Sequence, residues 1–224
     1  MKNSQNNFHR NTKDWYFGKD PLSLVSNEII DFISQRSGKK IFDFGCGLGG
    51  YSLRLGKLGF DCTAADINPA YLEKAKALGL NTYLAKGNKI DFPDNYFDTA
   101  ILIEVLEHVE DPASILKEIK RVVKDNVLIT VPNHTTLDQL MTARIAYDHL
   151  LDLDHKQFFS VPQLKALLEK EFPAVQIFEK EPVDLKVIYA VAPRILALLL
   201  DLFYQSRILK EKFFYRIYAE AKKK

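Results

Sequence analysis

Apolar positions along the chain fall into short compact runs separated by stretches of helical period. Ile41, Phe42 and Phe44 form the first run and suit a strand covered on both faces. Upstream of it, Leu22, Val25, Ile29, Ile30 and Ile33 recur at helical spacing and predict a helix over 22–34, stopped by Gly38. Residues 51–57 read as a second helix, with Gly59 ending it and Asp61–Asp66 following as the second strand. Asn68-Pro69 opens a helix running to about Leu78, with the proline at the tolerated first turn, before a third strand at Thr82–Ala85. Thr99–Ile103 is the fourth strand. A helix beginning at Pro112 carries Ile115, Leu116, Ile119, Val122 and Val123 inward, and Val127–Asn133 is the fifth strand. Residues 135–151 have a helical period. Ser160 caps a further helix, Gln163 completes a capping box, and Leu164, Leu167 and Leu168 face inward. Ala174–Glu179 and Phe213–Ala221 supply strands six and seven, the last alternating as an antiparallel strand. Strands alternating with helices in this order predict an α/β fold.

Between the first strand and its helix lies Gly45-Cys46-Gly47-Leu48-Gly49-Gly50, where small residues let the backbone turn tightly and approach a ligand. Gly45, Gly47 and Gly50 satisfy the dinucleotide pattern G-x-G-x-x-G, while Gly45, Gly47 and Gly49 satisfy the less specific G-x-G-x-G. Asp43 separates the two. A carboxylate near the end of an apolar strand, two residues before the first glycine, repels a pyrophosphate and attracts the free ammonium of an amino-acid-bearing cofactor. Asp66 closes the second strand about 20 residues after the loop, where its two oxygens can accept from a ribose diol. A glycine-rich turn without a ligand, and an aspartate that only caps the next helix, are the plainer readings of these two features.

Composition narrows the partners. With 31 Lys and Arg against 29 Asp and Glu, the net charge of +2 supplies no field that would argue for nucleic acid. At 224 residues and 47% hydrophobic composition, the chain can bury one sizeable core, so a single domain over 1–224 is expected. Its parts are an N-terminal segment and helix (1–38), a core (39–181), a helical insertion (183–212), and a last strand with a basic tail (213–224). The two cysteines, Cys46 and Cys62, match neither a disulfide framework nor a metal-ligand spacing, and no metal is expected. The polar N-terminus lacks a signal core, and no apolar run reaches the ~18 residues of a bilayer span. A soluble, cytoplasmic protein is expected. The aromatic stretch Trp15-Tyr16-Phe17 before Pro21 can either fold over a cofactor or staple the N-terminal segment to the body.

Asp43-Phe44-Gly45-Cys46-Gly47-Leu48-Gly49 closely resembles the first motif of the class I S-adenosylmethionine-dependent methyltransferases, of the small-molecule, UbiE-like type. The run Glu104-Val105-Leu106-Glu107-His108-Val109-Glu110-Asp111-Pro112 is highly characteristic of that family, and Val131-Pro132-Asn133 is similar to its next motif. The resemblance is close over 39–132 and looser to about 179. It implies a Rossmann-like, mostly parallel seven-stranded sheet with the last strand antiparallel, flanked by helices and carrying a helical cap. It also implies S-adenosylmethionine as cofactor, S-adenosylhomocysteine as product, and a small-molecule methyl acceptor. The implied cofactor contacts are Asp43, Gly45, Cys46, Gly47, Gly49, Asp66, Ile67, Asn88, Lys89, Ile90 and Glu104, with Ile67 and Ile90 equally open to a core role. Asn88 stands where the family commonly has an aspartate facing the adenine amino group, and its amide oxygen can still accept that bond.

Displacement at a sulfonium-activated carbon asks chiefly for alignment and exclusion of water, so a general base is optional. Glu104, His108, His134, His149 and His155 are the titratable candidates; His108 and Glu104 are the expected catalytic-site residues, His108 shaping the pocket more than moving a proton. An NAD-dependent oxidoreductase and a non-catalytic cofactor-binding protein of the same fold remain as alternatives. In the insertion, Val187, Ile188, Val191, Ile195, Leu198, Leu199 and Leu202 form an apolar surface wider than one helix face buries. A lid over the acceptor is the favoured destination and implies an acceptor with an apolar portion. A homodimer contact and a weak membrane-surface contact, helped by Arg207, Lys210, Lys212 and the 222–224 tail, are the competing destinations.

Overall fold

A computed structural model of the chain describes residues 19–86, 89–134, 154–182, 195, 198, 199, 202 and 214–224. The described strands are β1 (Lys40–Phe44), β2 (Asp61–Asp66), β3 (Asn81–Leu84), β4 (Phe97–Ile103), β5 (Val123–Pro132), β6 (Ala174–Pro182) and β7 (Phe214–Lys222). They form one sheet in the order β3-β2-β1-β4-β5-β7-β6. β1 to β5 run parallel, and β7 inserts antiparallel between β5 and β6.

Alternation along the strands sends side chains into two cores. Phe42 and Phe44, Ala100 and Leu102, Val127, Ile129 and Val131, and Ile217, Ala219 and Ala221 share one face. That face is covered by α4 (Pro112–Val122) and α5 (Val161–Glu169) through Ile115, Leu116, Ile119, Leu164 and Leu168. Ile41, Ile101, Leu128 and Tyr218 point the other way and meet α1 (Asn27–Ser34) and Leu55 of α2 (Gly50–Lys57). Both faces are therefore dry, as the unbroken apolar runs require. α3 (Pro69–Ala77) follows β2 and buries Leu72 and Ala75.

The predicted helix over 22–34 is divided. Asp20 caps a short 3-10 turn at Pro21–Leu24, Val25 turns extended, and Ser26 starts α1 by accepting from Ile29 N at 3.4 Å. A serine whose oxygen satisfies a free helical N–H competes with continuing the helix through it, and here the cap wins. β4, β5 and β6 are longer than expected because their parallel and antiparallel neighbours carry the ladder past the apolar runs. The predicted helix over 135–151, the insertion apart from four positions, and Trp15–Phe17 lie outside the described residues.

Strand order reverses at β1 and β4, which lie side by side with Asp43 opposite Ile101. A crevice opens at such a switch point, at the carboxyl ends of the strands. The connection between β6 and β7 leaves from that same edge, since Arg216 pairs across from Pro132 at the end of β5. The basic tail does not. Lys223 Nζ donates to Val123 O at 2.9 Å and Asn95 Oδ1 at 2.8 Å, so the tail is at the amino edge, a nine-residue strand away from the insertion's base. Among the described residues, no helix is long and apolar enough to cross a membrane.

Candidate active site

The glycine loop is built as a cradle. Gly45 and Cys46 donate their N–H groups to Ala65 O at 2.8 and 2.9 Å, pinning the turn to the end of β2. A side chain on Gly45 would stand 2.5 Å from Val105 Cγ2, and its φ of +81° already suits glycine, so the loop presses directly on the first turn after β4. Gly47 differs: at φ +52°, a side chain there would meet nothing within 4 Å. Its face is open. Gly50, the third glycine of the dinucleotide pattern, is instead occupied by close packing on Pro21 O.

Two carboxylates flank the cradle. Asp43 is 2% exposed and accepts from Ser52 Oγ at 2.7 Å. Burial pushes its carboxyl up to about 7, against the bond from Ser52 and with the help of nearby Asp66. A buried acid in that state is suited to a cationic ligand group, which would restore its charge. Asp66 is 8% exposed; Oδ2 accepts from Gly47 N at 2.9 Å and Oδ1 from Asn68 N at 2.8 Å. Burial raises its pKa and these backbone bonds oppose the shift. Both oxygens thus already hold backbone N–H groups, Ile67 adding to Gly47 and Asn68, and a carboxylate with about four lone-pair sites can still accept a hydroxyl. Burial likewise pushes the Cys46 thiol up, which makes it an inert lining group.

The remaining expected cofactor positions separate. Ile67, next to Asp66, is 74% exposed and offers an apolar face, whereas Ile90 is 2% exposed and packed in the core. Its burial has a local cause: Ile90 N donates to Glu118 Oε2, and Arg121 donates to Ile90 O and Phe92 O, drawing the loop inward onto α4. Lys89 is exposed. Asn88 lies outside the described residues.

Glu104 follows β4 with φ +54°. Its N–H donates to Thr130 O, and its Oε1 accepts from Thr130 Oγ1 at 2.8 Å and lies 3.2 Å from Arg216 Nε, off the line of that N–H. Arg216 also pairs with Glu181, which accepts from Tyr218 Oη at 2.7 Å. Burial pulls the Arg216 guanidinium down, but the charges of Glu104 and Glu181 push it further up. Opposite, Lys156 N and Gln157 N donate to Glu107 O at 2.7 and 2.9 Å and hold 154–160 against the turn Leu106–His108. That brings His108 and His155 together, with ring centroids 4.8 Å apart, while His134 meets Phe158 at 5.1 Å. His108 Nδ1 lies 3.2 Å from Asp154 O, which favours a proton on Nδ1 and leaves Nε2 as an acceptor. No metal was expected, yet ligand-type atoms of Glu107, His108 and His155 all lie within 4.8 Å of one another and can hold a cation. His149 lies outside the described residues.

Comparison with known proteins sets this geometry in a family. A family profile described as a methyltransferase domain matches residues 42–131. A ubiquinone biosynthesis O-methyltransferase of Aeromonas salmonicida is 30% identical over 164 residues, covering 64% of this chain and 68% of the relative. The chain belongs to the class I S-adenosylmethionine-dependent methyltransferases. A mitochondrial ubiquinone biosynthesis O-methyltransferase of Schizosaccharomyces pombe is 33% identical over 158 residues, 62% of this chain and 56% of the relative. The matched stretch therefore spans between about half and about two thirds of those methyltransferases. A SAM-dependent methyltransferase structure from Archaeoglobus fulgidus shares the fold, with a TM-score of 0.70 and 19% identity over 94% of this chain and 97% of that one. That family does not favour the dinucleotide reading of Gly45, Gly47 and Gly50.

Sequence reasoning passed over Thr130, Glu181 and Arg216. A single arginine among the aromatics of Phe213-Phe214-Tyr215-Arg216-Ile217-Tyr218 was the available signal. For the insertion, favoured as a lid over a dimer or membrane contact, the described positions Ile195, Leu198, Leu199 and Leu202 are helical and 55–77% exposed.

Proposed function

We propose that this methyltransferase carries a methyl group from S-adenosylmethionine to an oxygen of a small molecule that has an apolar portion. The observation that carries the reading is the Asp43–Gly47–Asp66 arrangement: a raised-pKa buried acid and a carboxylate tied to the loop, on either side of a glycine whose face is open. These residues fit the cofactor. Asp43 suits its ammonium, the Gly45–Gly49 backbone with Cys46 would face its amino-acid portion, Asp66 suits the ribose diol, and Ile67 with Lys89 would face the adenine, for whose amino group the sequence offers Asn88. The cofactor supplies an activated methyl group.

The rest of the work belongs to the chain. Glu104 and the Leu106–His108 turn border the donor side, and His108, His134, His155 and Phe158 form the wall an acceptor would meet. In the proposed arrangement His108 Nε2 accepts a hydrogen bond from the acceptor hydroxyl and orients it; proton transfer to His108 is not needed to activate the carbon. Oxygen as the nucleophile follows the named function of the similar O-methyltransferases. The expected cytoplasmic setting belongs to this reading too. So does the destination of the exposed apolar positions Ile195, Leu198, Leu199 and Leu202, with a lid that selects the acceptor's apolar portion favoured over a second copy or a membrane surface.

The test uses S-adenosylmethionine with a labelled methyl group, a phenol bearing a long alkyl chain, its short-chain analogue, and a matching amine. Label in the long-chain phenol, with less in the short analogue and none in the amine, is expected. Label only in the amine would overturn the oxygen assignment, and equal label in both phenols would overturn the apolar preference.

A further inference from the structure

Among the described residues, three non-glycine positions have positive φ: Asn95, Glu104 and Glu181. Two of these are the carboxylates that share the Arg216 guanidinium. Such backbone is disfavoured for side chains with a Cβ and persists where its surroundings over-determine it. Here those surroundings are Arg216, Thr130 and Tyr218: the last is fully buried and donates to Glu181, and Thr130 holds Glu104 from the backbone and the side chain.

The placement of the cluster gives it a role. Glu104 adjoins Val105, which the cofactor loop touches at Gly45. Glu181 is next to last in β6, and Arg216 lies near the start of β7, so the two flank the 183–213 connection. One guanidinium between two carboxylates leaves a net negative charge beside the loop, with the Glu104 side chain 24% exposed. We infer that Arg216 is a positioning residue of the methyl-transfer site, holding the Glu104 carboxylate toward the donor sulfonium and tying it, through Glu181, to the base of the 183–213 connection.

This rests on the cofactor reading above. S-adenosylmethionine and S-adenosylhomocysteine differ by one methyl group and one positive charge at sulfur, so the ratio of their affinities reports the field there. Calorimetry of both ligands is run on the wild type, Glu104→Gln, Arg216→Met and the double variant. Glu104→Gln should lower the preference for S-adenosylmethionine by about threefold to fivefold, as for a partly exposed charge pair. Arg216→Met should lower it comparably, and the double variant no further, because both changes remove the same placed carboxylate.

A purely electrostatic role predicts the opposite sign, since deleting a positive charge would strengthen the preference for the sulfonium. A ratio unchanged or raised in Arg216→Met overturns the inference. If Arg216→Met does not fold, Arg216→Met with Glu181→Gln removes the stranded carboxylate, and the same fall is expected; an intact ratio there is equally contradictory. Wild-type protein that binds neither ligand would overturn the cofactor reading and the inference with it. Wild-type binding with unaltered ratios in the variants overturns the inference alone.

Discussion

Asp43 is the residue whose chemistry is most exposed to test. Folded without ligand, it is pushed up to about 7 by burial, against 3.8 for the ordinary group. The native state therefore keeps a proton that the unfolded chain releases near pH 4, and Asp43 should disfavour the ligand-free fold progressively from about pH 4 to about pH 7, with no further change above. An ammonium beside it reverses the preference. Affinity for S-adenosylhomocysteine should rise with pH below about 7 and flatten above, with proton release on binding, as read by calorimetry in buffers of different ionisation enthalpy. Asp43→Asn should bind more weakly and lose that proton release; retention of it would place the titrating group elsewhere. Asp66 gives a second prediction. Asp66→Ala should cost roughly 1.5–3 kcal/mol of cofactor affinity through lost charge-assisted bonds. It should also lower the melting temperature, because Gly47 N and Asn68 N lose their acceptor. Calorimetry with a thermal melt reads both, and an unchanged affinity removes Asp66 from the site.

At the scale of the element, the turn from β1 into α2 separates fold from binding. Gly45→Ala drives a methyl group against Val105 at φ +81°, and should destabilise the protein by about 1–3 kcal/mol in chemical denaturation. Gly47→Ala meets no neighbour, so beyond the roughly 1–2 kcal/mol that its positive φ costs any side chain it should fold as the wild type does, yet lose most of its cofactor affinity because the methyl group fills the cradle. A Gly47→Ala protein that binds normally would show that the ligand does not approach there. This turn was legible in the sequence because its signals are local: glycines, an apolar strand before them, and a carboxylate where none belongs. Ser26 was legible only in part, since helical spacing on either side of it hides a cap that interrupts the helix. Spacing alone leaves Ile90 open between an adenine contact and the core because it cannot tell which way a loop turns, whereas Arg121, from α4, holds that loop inward.

Across the whole molecule, the sheet could be read strand by strand, while its consequences depended on pairing. Nothing in Phe214–Lys222 by itself says that it enters between β5 and β6, and only that register carries Arg216 to the carboxyl edge beside Glu104. The same register sends Lys222–Lys224 to the edge opposite the insertion's base. His108 likewise gained its neighbour His155 from a segment 47 positions away, held by the Glu107 carbonyl. His108→Asn should leave cofactor affinity intact and lower turnover only in part, because the amide oxygen can still accept from the acceptor hydroxyl but cannot take its proton. Loss of all turnover with cofactor affinity intact would make His108 the base. The central claim, that the β1–β4 switch point of this sheet holds S-adenosylmethionine, is tested most directly by titrating the chain with S-adenosylhomocysteine and, separately, with NAD. Saturable one-to-one binding of S-adenosylhomocysteine and no heat with NAD is the predicted result; binding of NAD, or of neither, would contradict it.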